Sequence, residues 1–505
     1  MLRKIRIIAA AVVFAAITLL FLDFTGSLHR WLGWLAKIQF LPAVLALNFG
    51  VVAFLVVLTL LFGRVYCSVI CPLGIMQDII SWIHGRTRKK DRFRFSWSPA
   101  RNWLRYGVLA VFIIALVAGA ASFTALLAPY SSYGRIVSNL FAPLYRWGNN
   151  LLAFIAERAD SYAFYSTEVW IRSLPTFIIA AVTFIAIFIL AWKNGRTYCN
   201  TVCPVGTVLG FLSRFSMFRP VIDTSKCRNC GLCGRQCKAS CIDMAAHRID
   251  YSRCVDCFDC IGACNEGAIS YRVAWQAGKK KEEGHPGGTP QEGAGGRNGR
   301  RAFIASSAVV LAAATVKAQE MKVDGGLAEL QDKKVPVRKT RLEPAGSLSL
   351  SHFAQHCTAC QLCVSVCPEN VLRPSSSLMT LMQPEMSFEK GWCRPECTRC
   401  SEVCPSGPIT PVTAEEKSSI QIGHAVVIYD NCVVNTDGVS CGNCARHCPA
   451  GAIMMVSKDP DSKDSLRIPA VNTERCIGCG SCEYHCPARP FSAIYVEGNE
   501  VHRNI

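Results

Sequence analysis

The first 200 residues alternate long apolar runs with shorter polar ones. Four apolar runs, approximately 5–22, 43–62, 106–127 and 175–192, reach the ~20 residues that a helix needs to cross a bilayer core. Arg3, Lys4 and Arg6 flank the first run and predict a cytoplasmic N-terminus. Counting crossings then places the 63–105 loop inside. Its charge agrees: Arg86, Arg88, Lys89, Lys90, Arg92, Arg94, Arg101 and Arg105 stand against Asp91 alone. The 128–174 loop falls outside, with four Arg, three acids and the interfacial aromatics Tyr130, Tyr133, Trp147 and Trp170. From 193 onward the chain is expected back in the cytoplasm.

Beyond 222 the apolar periodicity stops. The predicted organisation is a membrane domain at 1–222, a cytoplasmic domain at 223–272, a flexible linker at 273–299, a short apolar segment at 300–318 and a second cysteine-rich domain at 319–505. The linker is rich in Gly and charge and holds almost no apolar residues. Arg300-Arg301-Ala302-Phe303-Ile304 opens the apolar segment, which ends at Lys317-Ala318-Gln319. It reads as an internal twin-arginine export signal, cleaved or retained as a fifth span, with a buried helix as the bland alternative. Export would put 319–505 in the periplasm.

A net charge of +18 would suit nucleic acid, but much of it lies between apolar segments, where a cytoplasmic loop carries it. The expected setting is therefore multi-pass in the inner membrane, with the lipid bilayer as partner and no nucleic acid.

The 29 cysteines supply the chemistry. Cys357, Cys360, Cys363, Cys367-Pro368 and Cys476, Cys479, Cys482, Cys486-Pro487 both read C-x2-C-x2-C-x3-C-P, the bacterial ferredoxin pattern. Four further runs follow it: Cys227, Cys230, Cys233, Cys237; Cys254, Cys257, Cys260, Cys264; Cys393, Cys397, Cys400, Cys404; and Cys432, Cys441, Cys444, Cys448. Six runs predict six [4Fe–4S] clusters. Thiolates are soft ligands that suit iron–sulfur; neither a disulfide framework nor a zinc ribbon requires the third close cysteine and the trailing proline. In this pattern the fourth cysteine ligates the partner cluster. Within 223–272 that joins Cys264 to Cys227, Cys230 and Cys233, and Cys237 to Cys254, Cys257 and Cys260. In the four-run domain a nested pairing is expected, first with fourth and second with third. Lys238 and Asn265 stand where proline usually follows, and Cys241 is spare, an alternative to Cys237. The segments between runs are too short to bury a core, so the clusters must serve as cores, giving a small α+β ferredoxin-type fold beside the helical membrane domain.

Residues 63–74, GRVYCSVICPLG, and 195–206, GRTYCNTVCPVG, repeat one another. Their cysteines, Cys67, Cys71, Cys199 and Cys203, are expected on cytoplasmic turns at the membrane surface. They either converge on one shared metal centre, tuned by Arg64, Arg196, Tyr66 and Tyr198, or remain structural or redox-sensitive thiols. At the outer ends of the spans, His29, Arg30, Trp34, Lys37 and Gln39 either line a quinol site or anchor helix ends at the interface. No C-x-x-C-H haem motif, flavin or nucleotide motif, or nucleophile–base constellation stands out.

Residues 1–272 resemble the H subunit of periplasmic nitrate reductase systems, with four spans, two C-x3-C-P motifs and a two-cluster ferredoxin tail. Residues 300–505 resemble the G subunit, a twin-arginine-exported four-cluster ferredoxin. The C-x3-C-P repeat also resembles the membrane part of the nitrous-oxide reductase accessory protein. The resemblance implies the electron-transfer component of a quinol-dehydrogenase-like system. Electrons would pass from menaquinol, or from a cytoplasmic ferredoxin, to a periplasmic reductase. A maturation factor for a partner metalloenzyme and a redox sensor are the alternatives.

Overall fold

The structure is a computed structural model that describes residues 1–23, 25–87, 95–161, 163–274, 331–461 and 465–505. Most of the linker, the twin-arginine stretch at 300–318 and much of the 86–105 basic cluster lie outside the described residues.

Among the described residues two helices, Leu2–Leu22 and Leu174–Asn194, are long and apolar enough to cross a bilayer. Asp23 stops the first, because its carboxylate accepts the amides of Thr25, Gly26 and Leu28. Pro175 in the first turn of the other suits a helix start. The second and third expected spans are each broken. Phe40–Leu45 ends before Leu47, at φ +51°, and Asn48 caps a new helix, Phe49–Phe62. Asn102–Val117 ends at Gly119, φ +74°, before Ala121–Leu127. A periodicity count sees one apolar run where the backbone needs a cap and a glycine.

The sequence repeat is also a structural one. Gly63 and Gly195 take left-handed backbone, φ +74° and +67°, and turn the chain back into the helical bundle. Each return carries the first cysteine of its pair, Cys67 or Cys199, on a short helical turn, Tyr66–Ile70 or Thr197–Thr201. Cys71 and Cys203 are then extended, and Pro72 and Pro204 open the departing helices Pro72–Thr87 and Pro204–Leu212.

Among the described residues the cysteine-rich parts contain five two-stranded antiparallel sheets. Phe218–Ile222 pairs with Ile269–Val273, Pro220 opposite Tyr271, and brackets the 223–272 runs. Ile420–Val427 pairs with Ile494–Asn504 and brackets the last two runs of the chain.

The two cysteine-rich parts dock at opposite ends of the Leu2–Leu22 helix. At its start, Arg3 Nε lies 2.8 Å from Asp259. At its finish, Phe21 packs on Gly134, which also abuts the Cys360 carbonyl and leaves no room for a Cβ. Twenty-one residues at 1.5 Å each separate these ends by about 31 Å.

Candidate iron–sulfur centres and the path between them

In the first cysteine-rich part, Cys227, Cys230, Cys233 and Cys264 line one cavity. Cys254, Cys257, Cys260 and Cys237 line another, joined there by Cys241. Each cavity thus takes three thiols from one run and the fourth from its partner. Cys237 and Cys241 are 3.5 Å apart, sulfur to sulfur, so both reach the second cavity. Lys238 stands in place of proline because its side chain and carbonyl are used elsewhere. Nζ lies 3.2 Å from Asp78 and 2.9 Å from Asp259, and its carbonyl accepts the Arg196 amide. It joins this part to the helical bundle.

In the second part the nested pairing is corrected. Cys367 of the first run lines a cavity with Cys393, Cys397 and Cys400 of the second. Cys448 of the third shares one with Cys476, Cys479 and Cys482 of the fourth. Conversely, Cys404 lies within electrostatic range of Cys357, Cys360 and Cys363, and Cys486 of Cys444. Neighbouring runs pair because the connections between them are short, and closing a short loop costs less entropy than closing a long one.

The C-x3-C-P cysteines lie on no solvent-exposed turn: Cys67, Cys71, Cys199 and Cys203 are each 4% exposed, inside the main core. The Gly63 and Gly195 turns fold both motifs inward, and Cys203 lies within electrostatic range of the other three. Two fully buried arginines cross between the repeats. Arg64 donates to the Cys199 carbonyl (3.3 Å) and to Asn200 (2.9 Å), with Nη2 3.8 Å from Cys67 Sγ. Arg196 donates to the Cys67 carbonyl (2.7 Å) and to Asp78 (2.7 Å). Gly74 and Gly206 make room for Arg196 and Arg64 respectively. Gln77 Nε2 is 3.2 Å from Cys199 Sγ, and Tyr66 donates to Gln39.

Links run from this quartet toward both ends. Toward the first part, Arg64 Nη1 donates to the Ser252 carbonyl and its amide to Asp256, 2.8 Å away. Burial lifts the Asp256 carboxyl to about 7. Toward the second part, Tyr198 donates to the Leu127 carbonyl, and Arg135 on the Pro129–Ile136 helix lies within electrostatic range of both Tyr198 and Cys360. Arg135 is 1% exposed; its Nε and Nη1, and Tyr130 Oη nearby, have no partner. Among the described residues no carboxylate pairs with Arg135. A buried guanidinium so placed is costly unless a negative group lies beside it. An iron–sulfur cluster on thiolates supplies that charge, so the residues present fit one.

Among the described residues, no group of three or more His, Cys, Asp or Glu side chains closes on a single ion. A multi-iron cube spaces its thiolates more widely than one metal ion does.

The 4Fe-4S binding domain family Fer4_5 matches the chain twice, over residues 44–91 and 175–221, each time across one C-x3-C-P motif. The 4Fe-4S dicluster domain family Fer4_7 matches residues 437–489, which hold most of the last two runs. The chain is a ferredoxin-type iron–sulfur electron-transfer protein. It is 30% identical to the methylamine utilization ferredoxin-type protein MauM of Methylobacillus flagellatus, over 30% of this chain and 66% of that one. It is 29% identical to the ferredoxin-type protein NapG of Escherichia coli, over 36% of this chain and 78% of the relative. With the ferredoxin-type protein NapH of Haemophilus influenzae the identity is 27%, over 46% and 69%. The chain thus spans just under two thirds of MauM and more of the Nap relatives. No solved structure matches it.

In this ferredoxin-type chain the residues marked out beforehand for quinol separate. His29 Nδ1 pairs with Asp23 at 3.2 Å, Gln39 is buried against Tyr66, and Arg30, Trp34 and Lys37 are exposed. The residues that the cysteine spacing did not reveal are Asp78, Gln77, Asn200, Asp256 and Arg135. One signal was available: Asp78 is a lone acid in an apolar stretch directly after a repeat, which usually marks a paired or functional charge.

Proposed function

We propose that the chain is a membrane-embedded iron–sulfur conduit that carries electrons from one face of the inner membrane to the other. The observation that carries this reading is the docking of the two cysteine-rich parts at opposite ends of one apolar helix about 31 Å long. A bilayer core has about that thickness. The chain crosses four times, twice by broken helices whose polar breaks are covered by neighbouring protein.

Cys227 to Cys264 hold two [4Fe–4S] clusters on the cytoplasmic side, and Cys357 to Cys486 hold four on the periplasmic side. Cys67, Cys71, Cys199 and Cys203 hold one shared centre between them. A bound cluster supplies reversible one-electron chemistry; the protein positions and insulates it. Arg64 and Arg196 offset the negative charge that thiolate ligation brings into the core. Ser252, Asp256 and Arg64 close the inner gap; Tyr198, Arg135 and the Cys360 loop close the outer one. Menaquinol or a cytoplasmic ferredoxin is the donor, and a periplasmic reductase the acceptor, as the relatedness to Nap and Mau ferredoxins supports.

The test is Cys67→Ser and Cys199→Ser in the full chain. Reduction of the outer clusters by quinol should stop, while dithionite still reduces all of them. Unchanged quinol-dependent reduction would remove the quartet from the path. A maturation factor would transfer electrons only once per partner, so sustained turnover separates the two readings.

A further inference from the structure

Beside the inner cluster sites a cavity of about 710 Å³ opens between the Leu2–Leu22 helix, the Pro72–Thr87 helix and the segment around Lys238 and Asp259. Its walls are apolar: Ile7, Ala10, Ala11, Ile75, Ile79 and Trp82. Ile7, Ile79 and Trp82 are 44%, 38% and 61% exposed, so on the proposed placement the mouth faces lipid.

The floor is an ion cluster. Asp78 accepts from Arg6 (2.9 Å) and Arg196 (2.7 Å) and lies 3.2 Å from Lys238. Asp259 pairs with Lys238 (2.9 Å) and Arg3 (2.8 Å). Four cations thus meet two carboxylates, an excess of two positive charges. Arg6, which lines the cavity and whose side chain is 7% exposed, keeps its Nε buried and unpartnered. A donor without an acceptor under an apolar roof calls for a ligand with a flat apolar body and acceptor oxygens. Lys238 follows Cys237, and Asp259 lies between Cys257 and Cys260, so a ligand here adjoins the inner cluster site.

We propose that this cavity holds the headgroup of a membrane quinone. The proposal rests on the quinol-linked reading above and moves the quinone from the outer helix ends to the inner face. Oxidation of a quinol yields the quinone, two electrons and two protons. The inner part offers two adjoining cluster sites, one for each electron, and the two protons leave to water past the half-exposed Arg3 that pairs with Asp259 at the rim. An anionic lipid headgroup satisfies the cations but leaves the apolar depth around Ile75 and Ala10 without a ring to fill it.

The test uses the full chain with its clusters, in nanodiscs, titrated with menadione and read by quenching of Trp82 fluorescence against a Trp82→Phe control. Ala11→Trp and Ile79→Trp fill the cavity while leaving the ion cluster intact. Each should weaken menadione binding by about tenfold or more, with the cluster absorbance unchanged. Wild-type affinity in both variants, or displacement of menadione by phosphatidylglycerol but not by a second quinone, would overturn the assignment. Failure of the conduit reads differently: quinol would then leave the wild-type clusters oxidised whatever menadione does. If instead quinol reduces the clusters equally in wild type and both filled variants, the conduit stands and the cavity assignment falls.

Discussion

The ferredoxin-type runs and the C-x3-C-P quartet use the same thiol in opposite ways. In four runs three cysteines of one tight loop line a cavity to which the neighbouring run in sequence adds the fourth. The quartet has only two cysteines per motif, in motifs about 130 residues apart, and Arg64 and Arg196 cross from one repeat to the other. The runs are local: the first part adds only a few apolar side chains such as Ile242, Ile249 and Ile269 to its thiols, while the second, against expectation, also buries Phe353, Leu362, Phe388 and Val496. The quartet is assembled by the packing of an apolar bundle that exists without it. On the proposed reading, where a site's ligands lie in sequence decides whether the metal builds the fold or the fold builds the metal site.

The largest effect that would sharpen this contrast is iron removal. Chelation under reducing conditions should unfold 223–272 and 345–505, because metal binding free energy is folding free energy in such domains. The helices at Leu2–Leu22 and Leu174–Asn194 should persist. Hydrogen exchange resolved by peptide checks this; equal loss of protection in both regions would break the comparison. Next comes Arg196→Gln, which leaves Asp78 buried with fewer partners. It should cost about 3–5 kcal/mol in thermal or denaturant unfolding, whereas Arg228→Gln, at an exposed pair, should cost under ~1 kcal/mol.

A smaller effect is expected where the two kinds of site meet. Arg135→Gln removes a buried positive charge near Cys360. The potential of the cluster on Cys357, Cys360, Cys363 and Cys404 should fall by about 60–130 mV, the equivalent of ~1.5–3 kcal/mol for one electron. An EPR-monitored redox titration reads it, and Arg135→Lys should restore most of the shift. The smallest is Cys237→Ser. Because Cys241 reaches the same cavity, the single variant should keep its cluster absorbance, and only Cys237→Ser with Cys241→Ser should lose it.

Legibility in the sequence follows the same divide. The spacing of Cys357 to Cys367 and Cys476 to Cys486 declares its chemistry locally, because one loop carries most of it. Pairing between runs is a tertiary property, and the nested arrangement was the wrong choice for runs joined by short connections. The repeat at 63–74 and 195–206 was visible, but its burial was not: only the turns at Gly63 and Gly195 send the cysteines inward. The breaks at Leu47 and Gly119 lie inside apolar runs that hydropathy cannot divide. Asp78 and Arg135 owe their roles to partners far away in the chain, Arg196 at 118 residues and the Cys360 loop; the lone acid in an apolar stretch marks Asp78, and no local pattern announces Arg135.

The central claim is that the two cysteine-rich regions lie on opposite faces of the membrane. A C-terminal tag on the full chain, exposed to protease in intact spheroplasts, tests it most directly. The account predicts that the tag is removed while the 223–272 region stays protected, and the fragment size locates any cleavage near 300–318. A protected tag would place every cluster in the cytoplasm and contradict the conduit.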